Sequence, residues 1–197
     1  MSVRAAGPAD LAAVAALHAD RIGEGFLSSL GPGFLRRLYR RVLASPDGFV
    51  LVATPSGSAA GPVVGFVAGV GSVGALYRRF LVRDGIVAGV LAAPKLVRAA
   101  PRVVETLRYP AATDDLPDAE ILAVAVAADA AGAGIGRALV AAGTDAFTAL
   151  DVTAAKVVTT ADNAAAIAMY RACGFASTAA VEVHAGRASE VLVWTAS

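Results

Sequence analysis

The most constraining feature of this chain is an apolar segment that runs directly into a glycine-rich turn, EILAVAVAADAAGAGIG at residues 120–136. The apolar residues are typical of a buried strand, and helical periodicity begins at Arg137. Between the two lie Gly132, Gly134 and Gly136. A helix that begins in such a turn presents free backbone N–H groups and the positive end of its dipole, which bind phosphate. The segment therefore predicts a site for a pyrophosphate-containing ligand.

The spacing of the glycines separates two kinds of nucleotide cofactor. Dinucleotide-binding folds use G-x-G-x-x-G, followed about 20 residues later by an acidic residue that binds a ribose. Here the spacing is G-x-G-x-G, and Arg137 stands where the third glycine is expected. The next predicted strand, residues 156–160, contains no acidic residue. The pattern disfavours a dinucleotide and leaves an ordinary glycine-rich turn as the plain alternative.

A second motif, NAAAIAMYRACGF at residues 163–175, is typical of a helix that ends at Gly174. Together the two motifs resemble the GNAT superfamily of acyl-CoA-dependent N-acyltransferases, whose glycine loop reads R/Q-x-x-G-x-G/A and whose later helix reads N-x-x-A-x-x-x-Y-x-x-x-G-F. They occur in the family's order and separation, over about the C-terminal third of the chain. Ala131 departs from the pattern, and Arg137 is expected to replace part of the missing phosphate contact. The matching residues are Gly134, Gly136, Asn163, Ala166, Tyr170, Gly174 and Phe175.

The resemblance implies an α/β fold with a mixed, mostly antiparallel central sheet flanked by helices. We expect a single GNAT domain over residues 1–197, with a helical insertion at residues 72–117 before the cofactor strand. The hydrophobic pattern predicts two helices after a short first strand, then a hairpin, and finally a strand pair near the C-terminus. The insertion is expected to wall the acceptor pocket, with a purely structural helical cap as the alternative.

The family also implies acetyl-CoA as co-substrate. In the family, backbone N–H groups of the strand before the glycine loop hold the pantetheine arm and polarise the acyl carbonyl. No pair of His, Cys or acidic residues has the spacing of metal ligands, so no metal is expected. The residues implied to bind the cofactor are Val124, Ala125, Val126, Gly132, Ala133, Gly134, Ile135, Gly136, Arg137, Asn163 and Tyr170.

Two residues are candidates for acid and base. Tyr170 stands where the family has the proton donor to the coenzyme A sulfur, and a phenol with a pKa of about 10 is protonated at neutral pH. Glu120 lies at the same distance from the glycine loop as the glutamate base of the histone-acetylating branch. The alternatives are a tyrosine packed at the core edge and a solvated glutamate at the start of a strand. Another branch, which acts on ribosomal protein N-termini, has its glutamate on the next strand, where this chain has Val158.

Composition limits the remaining function classes. The 17 Lys and Arg residues nearly balance the 16 Asp and Glu residues, so bulk charge recruits neither nucleic acid nor an anionic membrane. Cys173 is the one cysteine, which excludes an internal disulfide and predicts a reducing cytoplasm. We expect Cys173 to be a small buried helix residue, and His18 to be a cation or a half-buried imidazole near the end of the first helix.

The sequence therefore predicts an N-acetyltransferase that transfers acetyl directly, within a ternary complex, to a primary amine of a small molecule or peptide. One alternative is an acyl-CoA-binding regulatory domain with weak catalysis. Another is the same fold with a different donor: a longer acyl-CoA, a carrier-protein thioester or an aminoacyl-tRNA. A homodimer is left open.

Overall fold

A computed structural model of the protein describes residues 1–22, 31–55, 61–84, 116–184 and 187–196. Its centre is a mixed sheet of seven described strands in the spatial order β1-β2-β3-β4-β5-β7-β6. All neighbours are antiparallel except β4 and β5, which confirms the predicted mixed, mostly antiparallel sheet. The strands are β1 (Ser2–Ala5), β2 (Gly48–Thr54), β3 (Gly65–Val70), β4 (Glu120–Val126), β5 (Ala154–Thr160), β6 (Ala176–His184) and β7 (Arg187–Thr195).

Helices cover both faces of the sheet, and local sequence explains where they begin. Pro32 occupies the first turn of its helix, where its missing N–H costs no hydrogen bond. The Asn163 side chain accepts a hydrogen bond from the Ala166 N–H at 3.1 Å and so caps the helix that follows. The helices are α1 (Leu11–Arg21), α2 (Pro32–Leu43), α3 (Val73–Asp84), α4 (Ile135–Ala149) and α5 (Ala164–Arg171), with 3₁₀ turns at Pro8–Asp10 and Ala128–Ala130.

The sheet separates two apolar clusters. On one face α1 and α2 pack through residues such as Val14 and Leu35 against Phe66 of β3. On the other face α4 and α5 pack through residues such as Leu139 and Ile167. Because a strand presents alternate residues to opposite faces, each strand position belongs to one cluster or the other. We call these the α1–α2 face and the α4–α5 face.

Strand β4 contains an irregularity that resets this alternation. Ala68 pairs with Ala123 and Gly69 pairs with Ile121, so Leu122 is the extra residue of a bulge. As a result Ala123 and Ala125 pack on the α1–α2 face, whereas Ile121, Val124 and Val126 pack on the α4–α5 face. The bulge therefore decides which side chains of the predicted cofactor strand face each layer.

The predicted insertion is described only at its two ends. Val73–Asp84 forms α3, whereas residues 85–115 lie outside the described residues, so the predicted insertion stays a prediction. Asp118 joins the ends, because its carboxylate accepts hydrogen bonds from the Ser72 hydroxyl at 2.5 Å and from the Gly74 N–H at 3.1 Å. These contacts tie the start of α3 to the residues that lead into β4. Within the described ranges, no helix is long and apolar enough to cross a membrane.

Candidate active site

The site is organised around an opening between the two parallel strands. In the described structure β4 and β5 are paired at one position, where Glu120 lies beside Lys156. The Lys156 N–H also donates to the Ala119 carbonyl at 2.8 Å. Beyond this point the two strands separate while β4 stays paired with β3. The residues of β4 from Ile121 onward therefore have no paired residue on their β5 side, and we call this unpaired region of the sheet the cleft.

The glycine turn lies just beyond this cleft, at the N-terminus of α4. Gly132 and Gly134 have φ angles of 79° and 76°, a left-handed conformation that glycine adopts without strain. The first hydrogen bond of the helix runs from the Ala138 N–H to the Gly134 carbonyl. The amides of residues 135–137 therefore lie at the open end of the helix, where they have no carbonyl one turn earlier. This is the arrangement that the sequence predicted for phosphate binding.

Space around the turn differs from one glycine to the next. A Cβ atom at Gly132 or Gly134 would meet no described atom within 4 Å, so both positions border open space. A Cβ atom at Gly136 would lie 2.8 Å from Met169 Sδ, so this glycine lets α4 approach α5. Arg137, which follows, is exposed. The turn is therefore open where a ligand would approach and closed where the two helices pack.

Tyr170 lies on α5 at the α4–α5 face, where it is 6% exposed. Its ring packs against Phe175 with the ring centroids 5.6 Å apart. Burial raises the pKa of the Tyr170 phenol well above its usual 10, so the hydroxyl keeps its proton at neutral pH. Gly174, which follows the helix with a φ of 86°, lets the chain turn back into β6. The helix itself ends at Arg171, three residues before the predicted terminator, because Gly174 ends the turn that follows rather than the helix.

Glu120 is buried rather than solvated at the strand start. It is 9% exposed, and it lies on the α1–α2 face, because it pairs with Val70 of that cluster and precedes Ile121 of the other. Burial raises the pKa of its carboxyl to about 7, Lys156 opposes this rise, and Asp118 adds to it. One carboxylate oxygen, Oε2, is buried and has no hydrogen-bond partner among the described residues. Such an atom is rare in folded proteins, and a catalytic role is one of the explanations for it.

Lys156 is the polar residue of the site that the sequence did not single out. It is 2% exposed, and its Nζ lies 3.8 Å from Glu120 Oε2 while donating a hydrogen bond to the Pro117 carbonyl. The available signal was a lone lysine between apolar residues at the start of a predicted strand. The pairing itself depends on the register of two strands, which this local pattern does not contain.

The predicted site residues form two groups. Val124, Val126, the glycine turn, Asn163 and Tyr170 belong to the side of α4 and α5. Glu120 and Ala125 face the α1–α2 layer. The two groups are separated by the thickness of the sheet, and the cleft between β4 and β5 is where the sheet opens between them.

Two other polar residues differ from expectation. His18 is neither a cation nor half-buried: it is 4% exposed, its Nδ1 and the Tyr39 hydroxyl are hydrogen-bonded at 2.5 Å, and burial lowers its pKa to about 4. Cys173 lies just after α5 and is half-buried, with its thiol 3.6 Å from the Arg137 carbonyl. Burial raises the pKa of this thiol, which does not favour a nucleophile. Among the described residues, no group of three or more His, Cys, Asp or Glu side chains could hold a metal ion.

Comparison with solved structures shows the same fold over the whole chain. A ribosomal-protein-alanine N-acetyltransferase from Brucella melitensis is 19% identical, with a TM-score of 0.65 and 100% of both chains covered. A GCN5-related N-acetyltransferase from Kribbella flavida is 18% identical, with a TM-score of 0.66, and covers 99% of this chain and 97% of its own. A variant of a spermidine N-acetyltransferase from Vibrio cholerae is 14% identical, with a TM-score of 0.61, over 99% and 95% of the two chains.

The sequence comparisons are more specific about the family. No curated protein matches the sequence. The family model described as the acetyltransferase (GNAT) family matches residues 21–175, which include the glycine turn, Asn163 and Tyr170. This match covers well over half of the chain and agrees with the fold of the similar structures. The chain therefore belongs to the GNAT acetyltransferase family and is an N-acetyltransferase.

Proposed function

We propose that this protein moves an acetyl group from acetyl-CoA to a primary amine of a small molecule or peptide while both substrates are bound. Glu120 takes the proton from the attacking ammonium group, and Tyr170 gives a proton to the departing sulfur. The observation that carries the proposal is the buried, unpartnered Oε2 of Glu120 at the point where β4 and β5 separate. A proton acceptor at the edge of a cleft is what amine acylation requires.

The glycine turn fits the donor. The open N-terminus of α4 offers the amides of residues 135–137 and the positive end of a 15-residue helix to an anion. The positive φ angles of Gly132 and Gly134 leave room for close approach of a pyrophosphate to the backbone. Members of the family use acetyl-CoA as co-substrate, and its pyrophosphate suits these donors. Ala131 contributes no side-chain contact, so backbone donors and Arg137 carry more of the binding.

The protonation states of both residues suit the reaction near neutral pH. A carboxyl group with a pKa of about 7 is partly ionised there, and it returns an accepted proton to solvent readily. The Tyr170 phenol is fully protonated over the same range, because burial raises its pKa. Glu120 is therefore available as a base to the amine on the α1–α2 face of the sheet. Tyr170 is available as an acid to the departing sulfur on the α4–α5 face.

The acceptor class rests on the chemistry of the site and on the similar proteins. Two of the similar structures are named for a ribosomal-protein alanine and for spermidine, and both of these acceptors carry primary amines. A carboxylate base at the α1–α2 face favours an ammonium group over a hydroxyl, because the ammonium group attracts it electrostatically. We therefore place the acceptor at the α1–α2 face, beside Glu120.

The test uses purified wild-type protein with acetyl-CoA and a panel of primary amines that contains an alanyl peptide, a lysyl peptide and spermidine. Thiol release and the mass of the product are measured from pH 5.5 to 9.5. We expect Glu120→Gln and Tyr170→Phe each to lower kcat by ~10² to 10⁴-fold with little change in acetyl-CoA affinity. Glu190→Gln is the matched control, because Glu190 lies on β7, which is on the opposite side of β5 from β4. There its carboxylate pairs with Arg171 of α5.

Three results would contradict parts of the proposal. Wild-type turnover in both Glu120→Gln and Tyr170→Phe would show that these residues are not the base and acid. Tight acetyl-CoA binding without acetylation of any amine would support the regulatory alternative. Turnover with longer acyl-CoA thioesters but not with acetyl-CoA would correct the donor.

A further inference from the structure

We propose that Lys156 is a positioning residue of the transfer reaction, whose ammonium group keeps the Glu120 carboxylate ionised and in place at the start of the cleft between β4 and β5. The inference rests on the proposed function, since it assumes that Glu120 is the base. In this role Lys156 neither gives nor takes a proton. The proton passes from the acceptor ammonium to Glu120 and from there to solvent.

The geometry of the strands fixes this pair. Lys156 and Glu120 are the paired residues of β4 and β5, so their side chains leave the sheet side by side on the same face. Lys156 is 2% exposed, and burial of an ammonium group at this level requires a nearby opposite charge. The Pro117 carbonyl accepts a hydrogen bond from Nζ and so holds the ammonium group at the base of the cleft.

The distance to Glu120 is as informative as the burial. At 3.8 Å, Nζ is close enough to attract the carboxylate but too far to hydrogen-bond its Oε2. The interaction therefore stabilises the ionised form while Oε2 stays free to accept a proton. A direct hydrogen bond would instead occupy the oxygen that the reaction needs.

Within the part of the chain that the structure describes, Lys156 and Asp118 are the charged residues that act on the Glu120 carboxyl group. Asp118, two residues earlier, opposes its ionisation. Helix α1, which packs over this face, has His18, Asp20 and Arg21 as its titratable residues. His18 is buried against Tyr39, and the other two are exposed. On α3, Arg79 is paired with Asp47 and Arg78 is exposed, and β3 has no titratable side chain. Among the described residues, Lys156 is therefore the cation placed to favour the ionised base.

The decisive measurement follows the carboxyl group itself and needs no acceptor. The chain has five glutamates, so a protein with ¹³C-labelled glutamate side chains gives few carboxyl signals, and Glu120→Gln identifies the signal of Glu120 by its loss. We expect Lys156→Met to raise the pKa of Glu120 by at least about one unit. Asp118→Asn, which can keep hydrogen bonds to α3, should lower it. The two opposite shifts distinguish a charge effect from a structural disturbance.

The same variants predict the pH–rate profile. In Lys156→Met the rising limb of kcat/KM should move to higher pH by the same amount, with turnover about fivefold lower near pH 7 and recovered near pH 9.5. Acetyl-CoA affinity should be unchanged. Lys156→Met should fold, because a protonated Glu120 no longer needs a cation, and Lys156→Gln repeats the test where the methionine variant is poorly expressed.

The outcomes separate this inference from the proposed function. An unmoved Glu120 titration in Lys156→Met, or shifts in the same direction in Lys156→Met and Asp118→Asn, would overturn the role of Lys156 alone. Full turnover in Glu120→Gln would instead overturn the proposed base, whatever the titration of the carboxyl group shows.

Discussion

Two buried polar pairs lie on the α1–α2 face of the sheet, and they differ in how completely their atoms are paired. His18 and Tyr39 join α1 to α2 through a hydrogen bond of 2.5 Å, and the Tyr39 ring also packs edge-on against Phe66. Glu120 and Lys156 join β4 to β5 at 3.8 Å, with one carboxylate oxygen left without a partner. We call them the closed pair and the open pair.

The difference shows how burial serves two purposes within one layer. A buried pair whose polar atoms are paired adds stability and fixes how two helices pack. A buried carboxylate with a free oxygen costs stability, and such costs are concentrated at functional sites. We therefore propose that the closed pair stabilises the layer that covers the candidate site, whereas the open pair takes part in the reaction. Four predictions test this division.

The largest effect is expected when the open pair is removed in two steps. Glu120→Leu leaves Lys156 as a buried cation without a carboxylate, so the free energy of unfolding should fall by about 3–5 kcal/mol. Adding Lys156→Met removes both charges, and stability should return to the wild-type value or exceed it by up to about 1–4 kcal/mol. Turnover should remain at least ~10²-fold below wild type. Chemical denaturation and acetylation assays measure both quantities, and a double variant as unstable as Glu120→Leu would show that the pair is structural.

The closed pair should show the reverse pattern. Tyr39→Phe removes the hydroxyl that His18 Nδ1 contacts and leaves a buried polar atom without that partner, so the free energy of unfolding should fall by about 1–3 kcal/mol. The ring stays in place against Phe66, so kcat should change less than twofold. Thermal or chemical unfolding together with turnover under stable conditions provides the measurement. A large loss of kcat in a folded Tyr39→Phe protein would mean that both pairs contribute to the reaction.

The distinction between a structural position and a position at the candidate site also applies to the glycines that precede helices. Gly31 and Gly134 cap α2 and α4, have φ angles of 86° and 76°, and would each place a Cβ atom in open space. Asparagine tolerates this conformation, so either substitution should preserve the fold. Gly134→Asn puts a side chain where phosphate should approach, and acetyl-CoA should bind at least ~10-fold more weakly by calorimetry. Gly31→Asn is the matched control, and equal affinities in the two variants would refute the phosphate site.

The smallest effect is a pair of opposed pH dependences of stability. The pKa of His18 is lowered from 6.5 to about 4, so the unfolded chain binds more protons between these values, and stability rises with pH there. The pKa of Glu120 is raised from 4.5 to about 7, so the folded protein binds more protons, and stability falls as pH rises through that range. Between pH 4.5 and 6.5 the two contributions nearly cancel.

Variants that remove one contribution should expose the other. In Glu120→Gln the free energy of unfolding should rise with pH across this window, because only His18 remains. In His18→Asn it should fall with pH, because only Glu120 remains. Urea unfolding at four pH values measures both slopes, and constant offsets between variants do not affect them. Slopes of the same sign in the two variants would contradict the opposed pKa shifts.

The parts of this protein that were predictable from sequence are those that neighbouring residues specify. The glycine turn and the start of α4, the Asn163 cap, and the apolar, β-branched runs of β2 and β3 each depend on local sequence. The resemblance to the GNAT superfamily rested on the same local motifs, and the family match confirms it. Positions of single helix ends were less predictable, because packing against the sheet competes with local preference.

Tertiary structure alone decided which residues meet. The sequence placed Glu120 at the start of a strand but left open whether it is solvated, and burial beside Lys156 answers that question. His18 was expected near a helix end, and its burial in the packed structure, where it contacts Tyr39, lowers its pKa and makes it neutral. Both pairs join residues distant in sequence through strand register or helix packing, and neither is encoded in local periodicity. Motifs therefore specified the glycine turn, whereas the environment of the candidate base arises from the parallel pairing of β4 and β5.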